Sequence, residues 1–178
     1  MTTPVSIESA YFAYRSLFIY ASPTAVAEGM TWYANANRVA FDLTTMDASL
    51  SIEQASSIIA AFSPRVHWSR NIMLAKSFVA GLPVGCLKTS IKNAERARLI
   101  GFDALNGLKT NAFARAVAGD KNAVVIDTWM IKPFGMKSVN KSEYMTAANA
   151  VRRVATEFNI SPADMQAIIW VASRGRAA

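Results

Sequence analysis

Apolar residues recur along this chain at helical spacing, and short polar, glycine or proline interruptions set the segments apart. Between Ser6 and Tyr20, the positions Ala10, Phe12, Ala13, Leu17 and Phe18 predict a first helix. Pro23 permits a restart, and Thr24 to about Leu43 predicts a second, although Gly29 and several Asn and Thr residues weaken its helical propensity. Ser51 with Gln54 forms a capping-box pattern ahead of Ala55, Ile58, Ile59 and Phe62, and Ser63-Pro64 should stop that helix. Val66 to Val79 predicts a further helix closed by Gly81-Leu82-Pro83. Thr89 or Ser90 is the expected cap of the next, which runs to Ile100 and ends at Gly101.

Phe102 to Leu105, Asn106-Gly107 and Leu108 to Ala118 then read as short helix, tight turn and longer helix, ended by Gly119. Val124-Val125-Ile126 is an apolar run too brief to assign as a strand, and Asp127 is placed to cap a helix over Thr128 to Lys132. Lys141 to Phe158 and Pro162 to Ser173 complete the pattern, the second opened by Ser161 with Asp164 at the capping-box position. Many short helices and almost no strand predict an all-α fold, a compact multi-helix domain. No linker, repeat or low-complexity tract divides the chain, so a single domain over 1–178 is expected, with residues 1–50 as N-terminal packing helices.

Composition narrows the classes. With 178 residues, 52% of them hydrophobic, the chain can bury roughly 70% of its unfolded surface and needs neither metal nor disulfide for a core. One cysteine, Cys86, excludes an internal disulfide, a cysteine zinc site and a four-cysteine iron-sulfur cluster. One histidine, His67, excludes a multi-histidine metal site and reads as a partly exposed polar residue. No cofactor is implied. No secretory leader opens the chain and no apolar stretch reaches membrane-spanning length, so a soluble cytoplasmic protein without a membrane partner is expected.

Charge points to a partner. The net +7 is uneven: residues 1–60 hold two basic against five acidic side chains, net −3, and the remainder seventeen against seven, net +10. Such a half suits a polyanion, or simply keeps the protein in solution.

The densest chemistry lies in Asn106-Gly107-Leu108-Lys109-Thr110, followed 18 residues after Lys109 by Asp127 in Val124-Val125-Ile126-Asp127-Thr128-Trp129. This arrangement resembles the helix-hairpin-helix DNA glycosylases of the endonuclease III type, whose hairpin reads Leu-Pro-Gly-Val-Gly-x-Lys-Thr-Ala and whose catalytic aspartate sits in Val-Asp-Thr-His at the same separation. Ala61-Phe62-Ser63-Pro64-Arg65 is similar to the family's Leu-Leu-Ser-x-Gln segment, Lys92-Asn93-Ala94-Glu95 to its Asn-Lys-Ala-Glu stretch, and Ile169 to Arg176 to its closing Leu-Ile-x-His-Gly-Arg helix. The resemblance spans roughly residues 50–176. It departs in keeping only the second hairpin glycine, in Asn111 after Lys-Thr, and in Trp129 after Asp-Thr.

The resemblance implies a small, phage-type member without the iron-sulfur cluster, acting on double-stranded DNA in base excision repair or in phage base modification. It places Lys109 as a nucleophile that attacks C1′ of a flipped nucleotide, with abasic-site lyase chemistry through a Schiff base, and Asp127 as the carboxylate that stabilises the developing sugar cation. Asn106, Gly107, Leu108 and Thr110 would meet the DNA backbone, Arg65 would push into the duplex, and Trp68 and Trp129 would line a base pocket.

Elementary chemistry agrees on two points. Lysine in a first helical turn faces the positive end of the macrodipole, which disfavours the ammonium form, and a glycine lets backbone N–H groups approach a phosphate. Each residue also has a plain reading. Asp127 suffices as an N-cap, Lys109 as solvated surface, Arg65 as a cap for the preceding helix, and Trp32, Trp68, Trp129 and Trp170 as core. A non-catalytic DNA- or partner-binding protein of the same fold is the alternative function. A serine hydrolase triad and a P-loop find no support in the sequence.

Overall fold

The computed structural model describes residues 6–175, and among these every regular element is helical. The helices are α1 (Ile7–Ile19), α2 (Pro23–Met46), α3 (Ile52–Phe62), α4 (Trp68–Val79), α5 (Lys88–Ile100), α6 (Leu108–Ala118), α7 (Thr128–Ile131), α8 (Lys141–Glu157) and α9 (Pro162–Arg174). Short 3₁₀ turns, Gly101–Ala104 and Lys132–Phe134, follow α5 and α7. The all-α expectation holds.

Contacts gather the chain into two compact units, one from residues up to Tyr33 together with 121–177, the other from Ala34–Asp120. Within its described residues, the first unit joins the two ends of the chain. In it α1 packs on α8 and α9, and Ala10, Tyr14, Met130, Val151, Met165 and Ile169 share one core. Gly29 explains why α2 continues through a residue that weakens helices. A methyl group there would lie 2.5 Å from the Cα of Ile168, so the glycine permits α2 to meet the α9 backbone.

The Val124–Ile126 run is buried yet belongs to no strand. Buried backbone groups still need partners. The Tyr144 hydroxyl supplies two of them, donating to Val124 O at 3.0 Å and accepting from Ile126 N at 3.3 Å.

In the second unit α3 is the hub, buried at every position from Ala55 to Phe62, the polar Ser56 and Ser57 included. α4, α5 and α6 surround it, and α5 turns Ser90, Ala94 and Ala97 inward. The Ser51–Gln54 capping box forms, and Gln54 Nε2 also donates to Arg98 O at 2.7 Å, tying α5 to the start of α3. Gly101 closes α5 at φ +57, and a Cβ there would fall 2.4 Å from Glu53 Oε1, which accepts the Phe102 N–H.

Two expectations need correction. Neither Thr89 nor Ser90 caps α5: the N-cap is Leu87, without a side-chain acceptor, and Ser90 is buried in the first turn. The helix after Asp127 ends at Ile131 rather than Lys132, because Pro133 has no N–H to offer the α-helical ladder and the chain tightens into 3₁₀ geometry.

Candidate functional site

Besides Glu53, which accepts the Phe102 N–H, Asn111 holds the segment from Gly101 to the first turn of α6. Asn111 Nδ2 donates to Phe102 O at 3.0 Å and Leu105 O at 3.3 Å, while its Oδ1 accepts from Arg115 Nε at 2.9 Å. The Arg115 guanidinium lies over the Phe102 ring at 4.5 Å. Asn111 therefore ties the connection to the helix that follows. Reading by motif marks it only as a departure from a small residue, and nothing local in the sequence says which carbonyls it would reach.

Asn106, Gly107, Leu108 and Lys109 are all exposed, and Thr110 is half-buried. Gly107 is the N-cap of α6 at φ −82, ψ 129, a conformation open to any residue. A Cβ there would meet only Thr110 Oγ1, at 3.6 Å. Nothing inside the protein therefore requires glycine at 107. Having no side chain, Gly107 also leaves the first-turn N–H groups of α6 uncapped. Lys109 extends from this turn with no ion pair among the described residues.

Arg65 stands at the tip of the α3–α4 loop, exposed, at φ +61. It does not cap α3: the Ser63 Oγ and N–H both reach Ala60 O instead. A non-glycine residue in the left-handed region costs about 1 kcal/mol or more. Trp68, the first residue of α4, is half-buried and meets Phe113 of α6 edge to face at 6.4 Å. His67, its exposed neighbour, is the N-cap of α4 but offers no side-chain hydrogen bond there.

Asp127, Trp129 and Trp170 belong to the other unit. One carboxylate oxygen of Asp127 accepts from Trp129 N at 2.9 Å and Met130 N at 3.1 Å, opening α7. Its second oxygen accepts from Trp170 Nε1 at 2.9 Å, joining α7 to α9. Burial, reinforced by the Asp127 charge, pushes the Tyr14 and Tyr33 hydroxyls up from the usual phenol range. Their protons are used internally, Tyr14 donating to Met130 O and Tyr33 to Gln166 Oε1.

Trp129 is half-buried, with the Lys132 ammonium 4.6 Å from its ring centre, and its carbonyl accepts from Ser173 Oγ at 2.9 Å. Arg174 lies over Trp170 at 4.9 Å. Arg176 falls outside the described residues. Trp32 packs edge to face on Trp170 at 6.0 Å.

Among the described residues no group of three or more His, Cys, Asp and Glu side chains is placed to hold a metal ion, and no helix is long and apolar enough to cross a membrane. Lys109 lies in one unit and Asp127 in the other.

These features define an all-helical protein in which α6 opens on an exposed first turn with no side-chain cap, bearing a lysine unpaired among the described residues. The chain belongs to the DUF7178 family, a family of unknown function, whose model matches residues 2–177. No curated protein and no solved structure matches it.

Proposed function

We propose that this protein is a DNA-binding, glycosylase-like enzyme in which the connection from α5 to α6 acts as a helix-hairpin-helix grip on the phosphate backbone. The observation that carries the reading is Gly107. The fold has no conformational or steric need for glycine there, whereas a phosphate approaching the uncapped N–H groups of α6 does. The positive charge beyond residue 60 supplies the field that attracts the polyanion.

In this reading Arg65 enters the duplex and Trp68, on the same unit, offers its ring to the flipped base. Lys109, once deprotonated, attacks C1′ as the N-glycosidic bond breaks and the base leaves with a proton. The C1′–O4′ bond then breaks, the lysine nitrogen becomes the iminium and O4′ takes a proton from water. Asp127 is the carboxylate that the resemblance assigns to the positive charge developing on the sugar. The setting is excision of an altered base or modification of phage DNA.

A second reading, a DNA-binding protein without catalysis, is favoured by the way Asp127 is used. Three donors already occupy its carboxylate, as expected of an N-cap and inter-helix tie.

Borohydride trapping on duplexes carrying a panel of altered bases and abasic sites decides between them. The enzyme reading predicts a covalent adduct that Lys109→Ala abolishes and Lys137→Ala retains. Salt-dependent binding with no adduct on any duplex would end the Schiff-base step and leave a monofunctional or a non-catalytic protein, which release of free base from the same duplexes tells apart, and binding insensitive to salt would end both readings.

A further inference from the structure

α5 carries a row of cations that the hairpin grip does not use. Lys88, Lys92 and Arg96 are exposed, four residues apart on one helix face, and none makes a hydrogen bond or ion pair among the described residues. Their side chains emerge about 6 Å apart along the axis, a row of about 12 Å. The opposite face, Ser90, Ala94 and Ala97, is buried, which fixes the row outward. By contrast, Arg98 on the same helix is paired with Asp47.

The row costs the helix stability. Lys88–Lys92 and Lys92–Arg96 are like-charged neighbours, each pair unfavourable by roughly 0.2–0.5 kcal/mol. Lys88 also begins α5, against the positive end of the macrodipole. Glu95 is the only acidic side chain on α5 and lies beside the row rather than between its members. A polyanion lying along α5 would remove both penalties. About seven duplex charges pass in 12 Å of axis, at one per ~1.7 Å.

A membrane surface fits less well. Beside the row, the exposed large apolar residues of the segment are confined to its ends, Leu87 before the helix and Leu99 and Ile100 at its close.

We infer that the outward face of α5, with Lys88, Lys92 and Arg96 in a row, is a second track for the phosphate backbone of duplex DNA. It makes sequence-independent contacts and sets much of the salt dependence of binding. The inference rests on the DNA-binding reading above, and the experiment separates the two.

Binding of a fluorescein-labelled random-sequence duplex is followed by anisotropy over a range of KCl concentrations. The proteins are the wild type, a Lys88→Gln/Lys92→Gln/Arg96→Gln variant, and a charge-matched control, Lys76→Gln/Lys137→Gln/Lys141→Gln. Each phosphate contact contributes about 0.9 to the slope of log affinity against log salt, so the α5 variant should lose about 2.7 and the control little. Its melting temperature should not fall, since the three side chains are exposed and unpaired.

A salt-dependent wild type with an unchanged slope in the α5 variant would overturn the track and leave the DNA reading standing. Equal losses in both variants would assign the effect to diffuse charge and overturn it as well. A wild type that shows no salt-dependent binding would end both the reading and the track. If the variant instead loses binding to vesicles of equal parts phosphatidylcholine and phosphatidylserine, with its duplex slope intact, α5 is a membrane face and the track is refuted.

Discussion

Replacing Asp127 by asparagine separates its two tasks. Asparagine caps a helix as well as aspartate does, so the α7 N–H groups keep an acceptor. Its amide nitrogen cannot accept from Trp170, so one indole N–H loses its partner. The expected loss is about 1–3 kcal/mol, or ~2–4 °C in melting temperature for each kcal/mol. Trp170→Phe should cost a similar amount, and the double variant should cost much less than the sum, as thermal denaturation of the four proteins would show. Additive losses would show that the bond does not couple the helices.

Arg65 behaves differently. At φ +61 it makes no hydrogen bond or ion pair among the described residues, so Arg65→Gly should relieve about 1 kcal/mol of backbone strain while weakening duplex binding. A variant that binds as tightly as wild type would remove Arg65 from the interface.

Among the helices, α2 and α6 show how a local cost is overridden. An exposed Gly→Ala change within a helix stabilises by about 1 kcal/mol. At Gly29 the sign should reverse, because the new Cβ meets the Ile168 backbone at 2.5 Å and overpacking costs about 1–3 kcal/mol. A denaturant titration of Gly29→Ala that moves the midpoint upward would show that the approach of α2 to α9 is looser than this geometry. For α6 the vulnerable point is Asn111. Removing its amide strips two carbonyls of their donors, so Asn111→Ala should loosen the Gly101–Gly107 connection, and hydrogen exchange there should rise before it rises in α3.

At the scale of the molecule, the unit built from both chain ends is closed by contacts far apart in sequence. The Tyr11 hydroxyl and Arg15 Nε both donate to Glu157, and Arg153 pairs with Glu8 while lying over the Tyr11 ring. The Tyr11 hydrogen bond, followed by Arg15, holds the Glu157 carboxyl below the usual glutamate range. A depressed carboxyl stabilises fully above the unfolded value of about 4.3, and the contribution disappears as pH falls through the lower folded value. The melting temperature should therefore drop through the acid range. Tyr11→Phe should flatten that limb while lowering the plateau at neutral pH. An acid limb identical in both proteins would place the proton uptake elsewhere.

The sequence by itself determined what short-range chemistry decides. Caps act over three or four residues, so Ser51 with Gln54, Ser161 ahead of Asp164, and Gly119 at the end of α6 mark boundaries that the folded chain keeps. The limits of α6, Leu108–Ala118, and the all-helical class were legible for the same reason. So was the role of Asp127 as a cap, which needs only the two residues after it.

Only the tertiary structure decided which groups meet from separate helices. Trp170 on the second oxygen of Asp127, Tyr144 supplying the backbone of Val124–Ile126, and α1 joining α8 and α9 all depend on packing among residues distant in sequence. Gly29 and Gly107 mark the same division. They read alike as glycines in a string, but one is required by a backbone 2.5 Å away and the other by nothing inside the protein. That contrast, visible only once neighbours are in place, makes Gly107 the residue to test with DNA.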